Sequence, residues 1–182
     1  MTENNFNLSA TEYALLGFLY HKPVHGYELH KQITDPDSVG MIWGLKLSNM
    51  YAQLDKLDRM GLIKGKLQSN EQRPARMEYA LTAQGKSLFN GWLFEPVKHP
   101  REFRHEFMVK LYFLQQYQPD RVTTLLDTQL AECQRWLETT QEKMSRETGP
   151  ASFQTEIYQF RISQIQSMID WIQWLKRQIT NE

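Results

Sequence analysis

Polar side chains that can read a base edge lie along one face of the segment 47–60. Asn49 and Gln53 are four residues apart, and each amide can both donate and accept a hydrogen bond at an adenine edge. Lys56, three residues further on, can reach guanine or a phosphate. Taken alone, the segment fits a surface helix with a solvated polar face at least as well, because periodicity says little about DNA.

The same segment has the apolar spacing of an amphipathic helix. Four apolar residues recur at intervals of three, four and three, which places them on one stripe: Leu47, Met50, Leu54 and Leu57. Ser48 is expected to cap this helix, because its hydroxyl can accept from an unpaired backbone N–H, and Gly61 is expected just beyond its end. Tyr51 lies at the border of the two faces, where its hydroxyl could donate to a phosphate.

Two short strands joined by a polar loop are expected after the helix. Met77, Tyr79 and Leu81 alternate with other residues at strand period, and the stretch 68–74 suits a hairpin loop. Cations on such a hairpin can contact phosphates or the minor groove, whereas an ordinary solvated hairpin is the alternative. The residues expected to contact DNA are Ser48, Asn49, Tyr51, Gln53, Lys56, Lys64, Lys66, Arg73 and Arg76.

Two further helices are expected upstream. Ser9 and Glu12 form a capping-box pattern that starts the first helix, which should run to Tyr20 before Pro23 stops it. A second, short helix is expected over 27–33. Three helices followed by a hairpin are the order of a winged helix-turn-helix, so the expected fold is mainly α with a β-hairpin wing.

Several segments of this region also match a known pattern in order and spacing: 14–19 (ALLGFL), 25–29 (HGYEL), 50–57 (MYAQLDKL), 61–63 (GLI) and 79–85 (YALTAQG). In these segments the chain resembles the PadR family of bacterial transcriptional regulators. The resemblance implies a homodimeric, sequence-specific DNA binder, usually a repressor and sometimes an activator. PadR wings often carry several cations near this last segment, whereas here Glu71 and Glu78 offset Arg73 and Arg76.

Charge is balanced over the whole chain but not along it. The 182 residues have a formal net charge of +0, which argues against an indiscriminate binder of polyanions. Residues 40–80 hold seven Lys and Arg against four Asp and Glu, whereas residues 99–182 hold ten against eleven. The small cationic excess coincides with the expected DNA surface, so we expect specificity to depend on placed contacts and on dimerisation.

Other classes of protein find little support in the sequence. Cys133 is the only cysteine, which excludes an intrachain disulfide, and no glycine-rich phosphate loop or nucleophile motif is present. We therefore expect no enzyme activity, metal or cofactor. The chain shows neither an apolar run that could span a bilayer nor a signal-peptide pattern, so a cytoplasmic location and no membrane contact are expected.

The composition changes after residue 95, where two prolines in five residues indicate a linker. We expect a DNA-binding domain over 1–95 and an antiparallel helical, coiled-coil dimerisation domain over 96–182, with helices near 102–117, 120–146 and 152–179. The tail resembles the subgroup of virulence activators related to AphA in its length and helical character. Its last helix carries a stripe expected to mediate dimerisation: Ile162, Ile165, Ile169, Ile172 and Ile179. A bundle within one chain is the alternative.

Two functions remain in competition. The first is a transcriptional regulator, expected to be a repressor, that binds double-stranded DNA as a homodimer on a pseudo-palindromic operator. The alternative is a winged-helix protein-interaction module or scaffold without direct DNA binding. The resemblance also raises the possibility of an aromatic small-molecule effector. Aromatic residues suit such pockets and suit cores equally well, and the chain offers Trp43, Trp92, Trp136, Trp171 and Trp174.

Overall fold

Helix α1, Ala10–Phe18, begins at the capping box that the sequence predicts. The backbone N–H of Glu12 donates to Ser9 Oγ (3.3 Å), and the backbone N–H of Ser9 donates to the Glu12 carboxylate (2.7 Å). The helix ends at Phe18, two residues earlier than expected. The computed structural model describes residues 6–70, 73–146 and 153–180.

The described residues form a mainly helical fold with one small sheet. A winged helix-turn-helix occupies the first half, and long helices occupy the second. After α1 the elements are β1 Val24–His25, α2 Gly26–Ile33, α3 Leu47–Arg59, β2 Ile63–Asn70, β3 Arg73–Leu81, α4 Ala83–Phe94, α5 Pro100–Glu102, α6 Met108–Tyr117, α7 Val122–Ser145 and α8 Phe153–Thr180. A π-helical turn over Phe103–Phe107 joins α5 to α6.

The sheet is antiparallel, with strand order β1-β3-β2. Ile63 pairs with Leu81, and the hairpin continues outward to the pair Asn70 and Arg73, with one irregularity after Gln68. The prediction of a loop over 68–74 was therefore wrong in extent. A two-stranded ribbon that is wet on both faces needs no apolar alternation, so its polar residues concealed the strands. The hairpin tip, including Glu71, lies outside the described residues.

Helix α6 packs directly on α1 across the expected domain boundary. The Phe113 ring lies so close to Gly17 that a Cβ there would be 2.4 Å from Phe113 Cζ. The Tyr117 hydroxyl donates to the Gly17 carbonyl (2.9 Å). One apolar core thus runs from the winged helix-turn-helix into the C-terminal helices. The division at residues 95 and 96 stays a prediction.

Helices α7 and α8 pack antiparallel against each other, and the middle of the isoleucine stripe on α8 is buried. Ile165, Ile169 and Ile172 are buried within one chain, while Ile162 and Ile179 are half-buried. This burial weighs against the expectation that the stripe is the seam between two subunits, which stays a prediction. Heptad spacing gives a helix a neighbour, but it does not say whether that neighbour belongs to the same chain. The expected break at 149–150 lies outside the described residues.

Candidate nucleic-acid interface

Helix α3 presents an exposed face that contains Asn49. Met50, Leu54 and Leu57 are buried as predicted, whereas Leu47, expected on the same stripe, is 42% exposed. Leu47 is the first residue of α3, and this end of the helix extends beyond the apolar core. The other exposed residues of α3 are Ser48, Asn49, Tyr51, Ala52, Asp55 and Arg59.

Ser48 does not cap α3. The cap residue is Lys46, which has extended backbone geometry and makes no side-chain cap bond. The first backbone bond of the helix runs from Met50 N–H to Lys46 O (3.0 Å). The N–H groups of the first turn therefore lack an intrahelical acceptor, and such groups together with the helix dipole favour an anion. Ser48 lies exposed beside them and can add a hydroxyl.

Two of the three predicted base readers are less accessible than expected, Lys56 through an ion pair and Gln53 through burial. Lys56 Nζ lies 2.7 Å from the Glu12 carboxylate, whose side chain is only 5% exposed. This ion pair attaches α3 to the capped start of α1, so Lys56 positions the helix. Gln53 is half-buried, and its Oε1 is buried without a hydrogen-bond donor among the described residues. Asn49 is the member of the trio that lies fully on the exposed face.

Tyr51 is held at the junction of α2, α3 and β3. A Cβ at Gly26, the first residue of α2, would lie 2.8 Å from Tyr51 Cε1 and Oη, so the ring needs glycine there. Burial raises the pKa of Tyr79, and the nearby Tyr51 hydroxyl raises it further. Tyr51 as a residue is still 38% exposed.

The wing carries its cations on one face. Lys64 pairs with Ala80, Lys66 with Glu78 and Gln68 with Arg76, and residues two apart on a strand share a face. The cations Lys64, Lys66 and Arg76 are exposed, and Glu78 lies among them, where it accepts a hydrogen bond from Gln68 Nε2 (3.0 Å). Three cations against one carboxylate leave this face positive. Arg73 begins β3, and its side chain lies outside the described part.

One further exposed aromatic residue was missed by the sequence reasoning. Tyr27 is 73% exposed in the first turn of α2, directly after Gly26, the residue against which the Tyr51 ring packs. Its signal was an aromatic residue off the α2 core face, which is formed by the buried Leu29 and Ile33. An exposed aromatic hydroxyl at this position is suited to a phosphate contact.

A polar network connects α6 to the winged helix-turn-helix. Lys110 is 1% exposed, and its ammonium lies 2.9 Å from the Glu106 carboxylate while donating to the Glu95 carbonyl (2.7 Å). Trp92 Nε1 donates to the same carboxylate (2.8 Å), and the Trp92 ring stacks on Tyr13 at 4.2 Å. Burial lowers the pKa of Lys110, although the nearby carboxylates oppose this, and burial raises the pKa of Tyr13 to about 12.

The five tryptophans do not converge on one pocket. Trp92 belongs to the network with Tyr13, and Trp171 packs edge-on against Phe103 (6.1 Å). Trp43 lies near His105, and its buried Nε1 has no hydrogen-bond partner among the described residues. Trp136 and Trp174 lie on α7 and α8. The five rings therefore do not form one shared pocket for an aromatic effector, and the effector stays a prediction.

Other kinds of site lack support in the described residues. The helices that the structure describes include none long and apolar enough to cross a membrane. In the same described ranges, no His, Cys, Asp and Glu side chains cluster in a way that could hold a metal ion. Burial raises the pKa of the Cys133 thiol to about 11, so this side chain is a protonated core residue at neutral pH.

Two family models match the chain in succession. Residues 15–90 match the "Transcriptional regulator PadR-like family", and residues 103–180 match "Virulence activator alpha C-term". Among curated proteins, the "Negative transcriptional regulator PadR" of Bacillus subtilis (strain 168) is 29% identical over 145 residues, which are 78% of this chain and 79% of that protein. The PadR-like family and this relative are transcriptional regulators and not enzymes.

Solved structures of the same Bacillus subtilis protein resemble this chain along its length. The crystal structure of that PadR in complex with operator DNA is 22% identical, covers 93% of this chain and 98% of its own, and has a TM-score of 0.48. The one in complex with p-coumaric acid is 24% identical, covers 95% and 97%, and has a TM-score of 0.41. Because both TM-scores are below 0.5, the assignment of the family rests on the family models. By those models, residues 15–90 belong to the PadR-like family of transcriptional regulators and residues 103–180 to the virulence activator alpha C-terminal family.

Proposed function

We propose that the chain is a sequence-specific repressor that binds a pseudo-palindromic operator as a homodimer. The observation that carries this proposal is the pairing of an exposed α3 face containing Asn49 with a wing face bearing three cations. The name of the Bacillus subtilis relative, a negative regulator, supports the sign of regulation. The cytoplasmic location stays a prediction.

The proposed contacts fall into two classes. Asn49 reads a base edge, because its amide can donate and accept at adenine. The start of α3 with Ser48, the Tyr51 hydroxyl and the wing cations Lys64, Lys66 and Arg76 hold phosphates, which fixes the register of the helix in the groove. Gln53 and Lys56 take a smaller part than the sequence suggests, since Lys56 is paired with Glu12. Arg73 remains a predicted phosphate contact.

Dimerisation is proposed for the outer face of α8 and not for the isoleucine stripe. Phe153, Phe160 and Trp174 are 76%, 59% and 48% exposed, and they recur at multiples of seven residues along α8. Exposed aromatic side chains in a heptad row are the usual form of an uncovered helix–helix contact. A second copy of α8 covers this row and places two α3 helices on one operator. The domain division proposed from the sequence assigns residues 1–95 to DNA binding and residues 96–182 to dimerisation. The proposed contact through α8 agrees with that division, because α8 lies in the second range.

An aromatic small-molecule effector remains part of the proposal. The Bacillus subtilis PadR has been crystallised with p-coumaric acid, which makes a ligand of that class worth testing on this chain. A winged-helix scaffold without DNA binding is the competing function, and the exposed Asn49 with the positive wing argues against it.

Selection of bound duplexes from random DNA tests the proposal. We expect an enriched inverted repeat from the wild-type chain, because a symmetric dimer presents two α3 helices. Asn49→Ala, selected in parallel, should return weaker enrichment at the positions that Asn49 contacts, while circular dichroism shows an unchanged fold. Failure of the folded wild-type chain to enrich any sequence would favour the scaffold.

A further inference from the structure

A cleft of about 540 Å³ is lined by residues of the C-terminal half of the chain. One side is the chain leading into α5, and the other two sides are α7 and α8. This volume is in the range that holds a small organic ligand. The cleft contains none of the residues assigned to DNA contact, so it needs another explanation.

Four cations from three separate parts of the chain converge on the cleft: Lys98, Arg101, Lys143 and Arg161. No Asp or Glu lines it among the residues that the structure describes. Arg101 is the only one of the four with an ion pair to another described residue, and its Nε lies 3.9 Å from the Glu102 carboxylate, at the limit for such a contact. All four residues are exposed, so their charged groups can reach a ligand from the cleft.

Three of the residues that line the cleft are apolar or aromatic. They are Ile165, which is 2% exposed, the half-buried Trp136 of α7 and Pro100 at the start of α5. The remaining uncharged lining is polar: His99, Thr139, Thr140 and Gln164. The apolar part can bury the carbon skeleton of an organic ion while the cations hold its charges.

We propose that this cleft binds a small organic molecule bearing two or more anionic groups on an aromatic or apolar body. A ligand with one charge would leave most of the rim cations without a partner, whereas separated carboxylate or phosphate groups can pair with cations from different walls. The aromatic body lies against Trp136 and Ile165. This site is independent of the proposed DNA contact and would exist in a chain that never bound DNA.

Titration of the full chain with two matched carboxylates tests the proposal without any DNA. Isophthalate has two carboxylates on a benzene ring, and benzoate has one. With intrinsic tryptophan fluorescence as the readout, we expect saturable quenching by isophthalate at low ionic strength and about threefold to fivefold weaker binding of benzoate, since one further ion pair at a surface contributes up to about fivefold in affinity. Phenyl phosphate, run alongside, distinguishes a preference for phosphate from one for carboxylate.

Variants locate the site. Lys143→Gln with Arg161→Gln should weaken isophthalate binding about tenfold, and Trp136→Phe should remove the quenching while calorimetry still detects binding. Arg177→Gln, an exposed cation on the other side of α8, is the matched control and should bind as the wild type does. The proposal is overturned if the wild type shows no saturable binding, if benzoate binds as tightly as isophthalate, or if Arg177→Gln loses as much affinity as the double variant. Loss of DNA selection with intact isophthalate binding would instead contradict the proposed function alone.

Discussion

Replacing Lys110 by methionine should destabilise the chain through the charge it leaves behind. Methionine keeps most of the apolar length of the lysine but removes the partner of Glu106, 2.9 Å away, and the donor to the Glu95 carbonyl. Removing one member of a buried ion pair costs about 3–5 kcal/mol. Because the Glu106 side chain is 26% exposed and still accepts from Trp92, we expect about 2–3 kcal/mol, below that range.

A second substitution separates the unpaired charge from the lost packing. In Lys110→Met with Glu106→Gln no charge is buried, and the glutamine oxygen can still accept from Trp92 Nε1. A neutral replacement of a buried pair is often close to neutral in energy, so the double variant should lie within about 1 kcal/mol of the wild type. Urea denaturation followed by circular dichroism measures both values. A single variant as stable as the wild type, or a double variant as unstable as the single one, would refute this reasoning.

Three further outcomes are expected. Lys64→Ala should lower the affinity for all DNA sequences alike and reduce the slope of log affinity against log salt by about one unit, which a salt series of shift assays measures. Phe160→Asp with Trp174→Asp should give a folded monomer by sedimentation, because both side chains are exposed within one chain; a dimer would place the subunit contact elsewhere. Tyr13 has its pKa raised by burial from 10.0 to about 12, so the folded state retains this proton longer than the unfolded state, and stability should fall as pH rises from 10 to 12. Tyr13→Phe should flatten that part of the stability curve, and an equally steep curve would contradict the assignment.

Local signals in the sequence predicted the winged helix-turn-helix well. The Ser9–Glu12 capping box starts α1 as predicted. Thr82 caps α4 in the same local way, through a bond from the Gly85 N–H (3.0 Å), although this cap was not predicted. These features depend on residues three apart, which the sequence shows directly. The start of α3 was placed wrongly at Ser48, because the extended Lys46 backbone ends the loop without any side-chain signal.

Long-range features were not predictable in the same way. The two-residue strand Val24–His25 exists only because β3 lies beside it, and two residues carry no period. Lys56 looks like a surface cation in the sequence, yet its partner Glu12 lies forty-four positions upstream. The isoleucine stripe was recognised as a packing surface, but the sequence could not show that Ile165, Ile169 and Ile172 are buried within one chain.

The affinity ratio between a selected operator and a base-shuffled duplex of the same length tests the central claim most directly. Measured at one salt concentration, the wild-type ratio should reach at least about 10³, the lower end for specific regulators. Asn49→Ala should reduce that ratio about 5- to 150-fold, which corresponds to about 1–3 kcal/mol, the scale of one base contact. The affinity for the shuffled duplex should stay nearly unchanged. Equal affinity of the wild type for both duplexes, or a ratio unaffected by Asn49→Ala, would contradict the claim that α3 reads the operator.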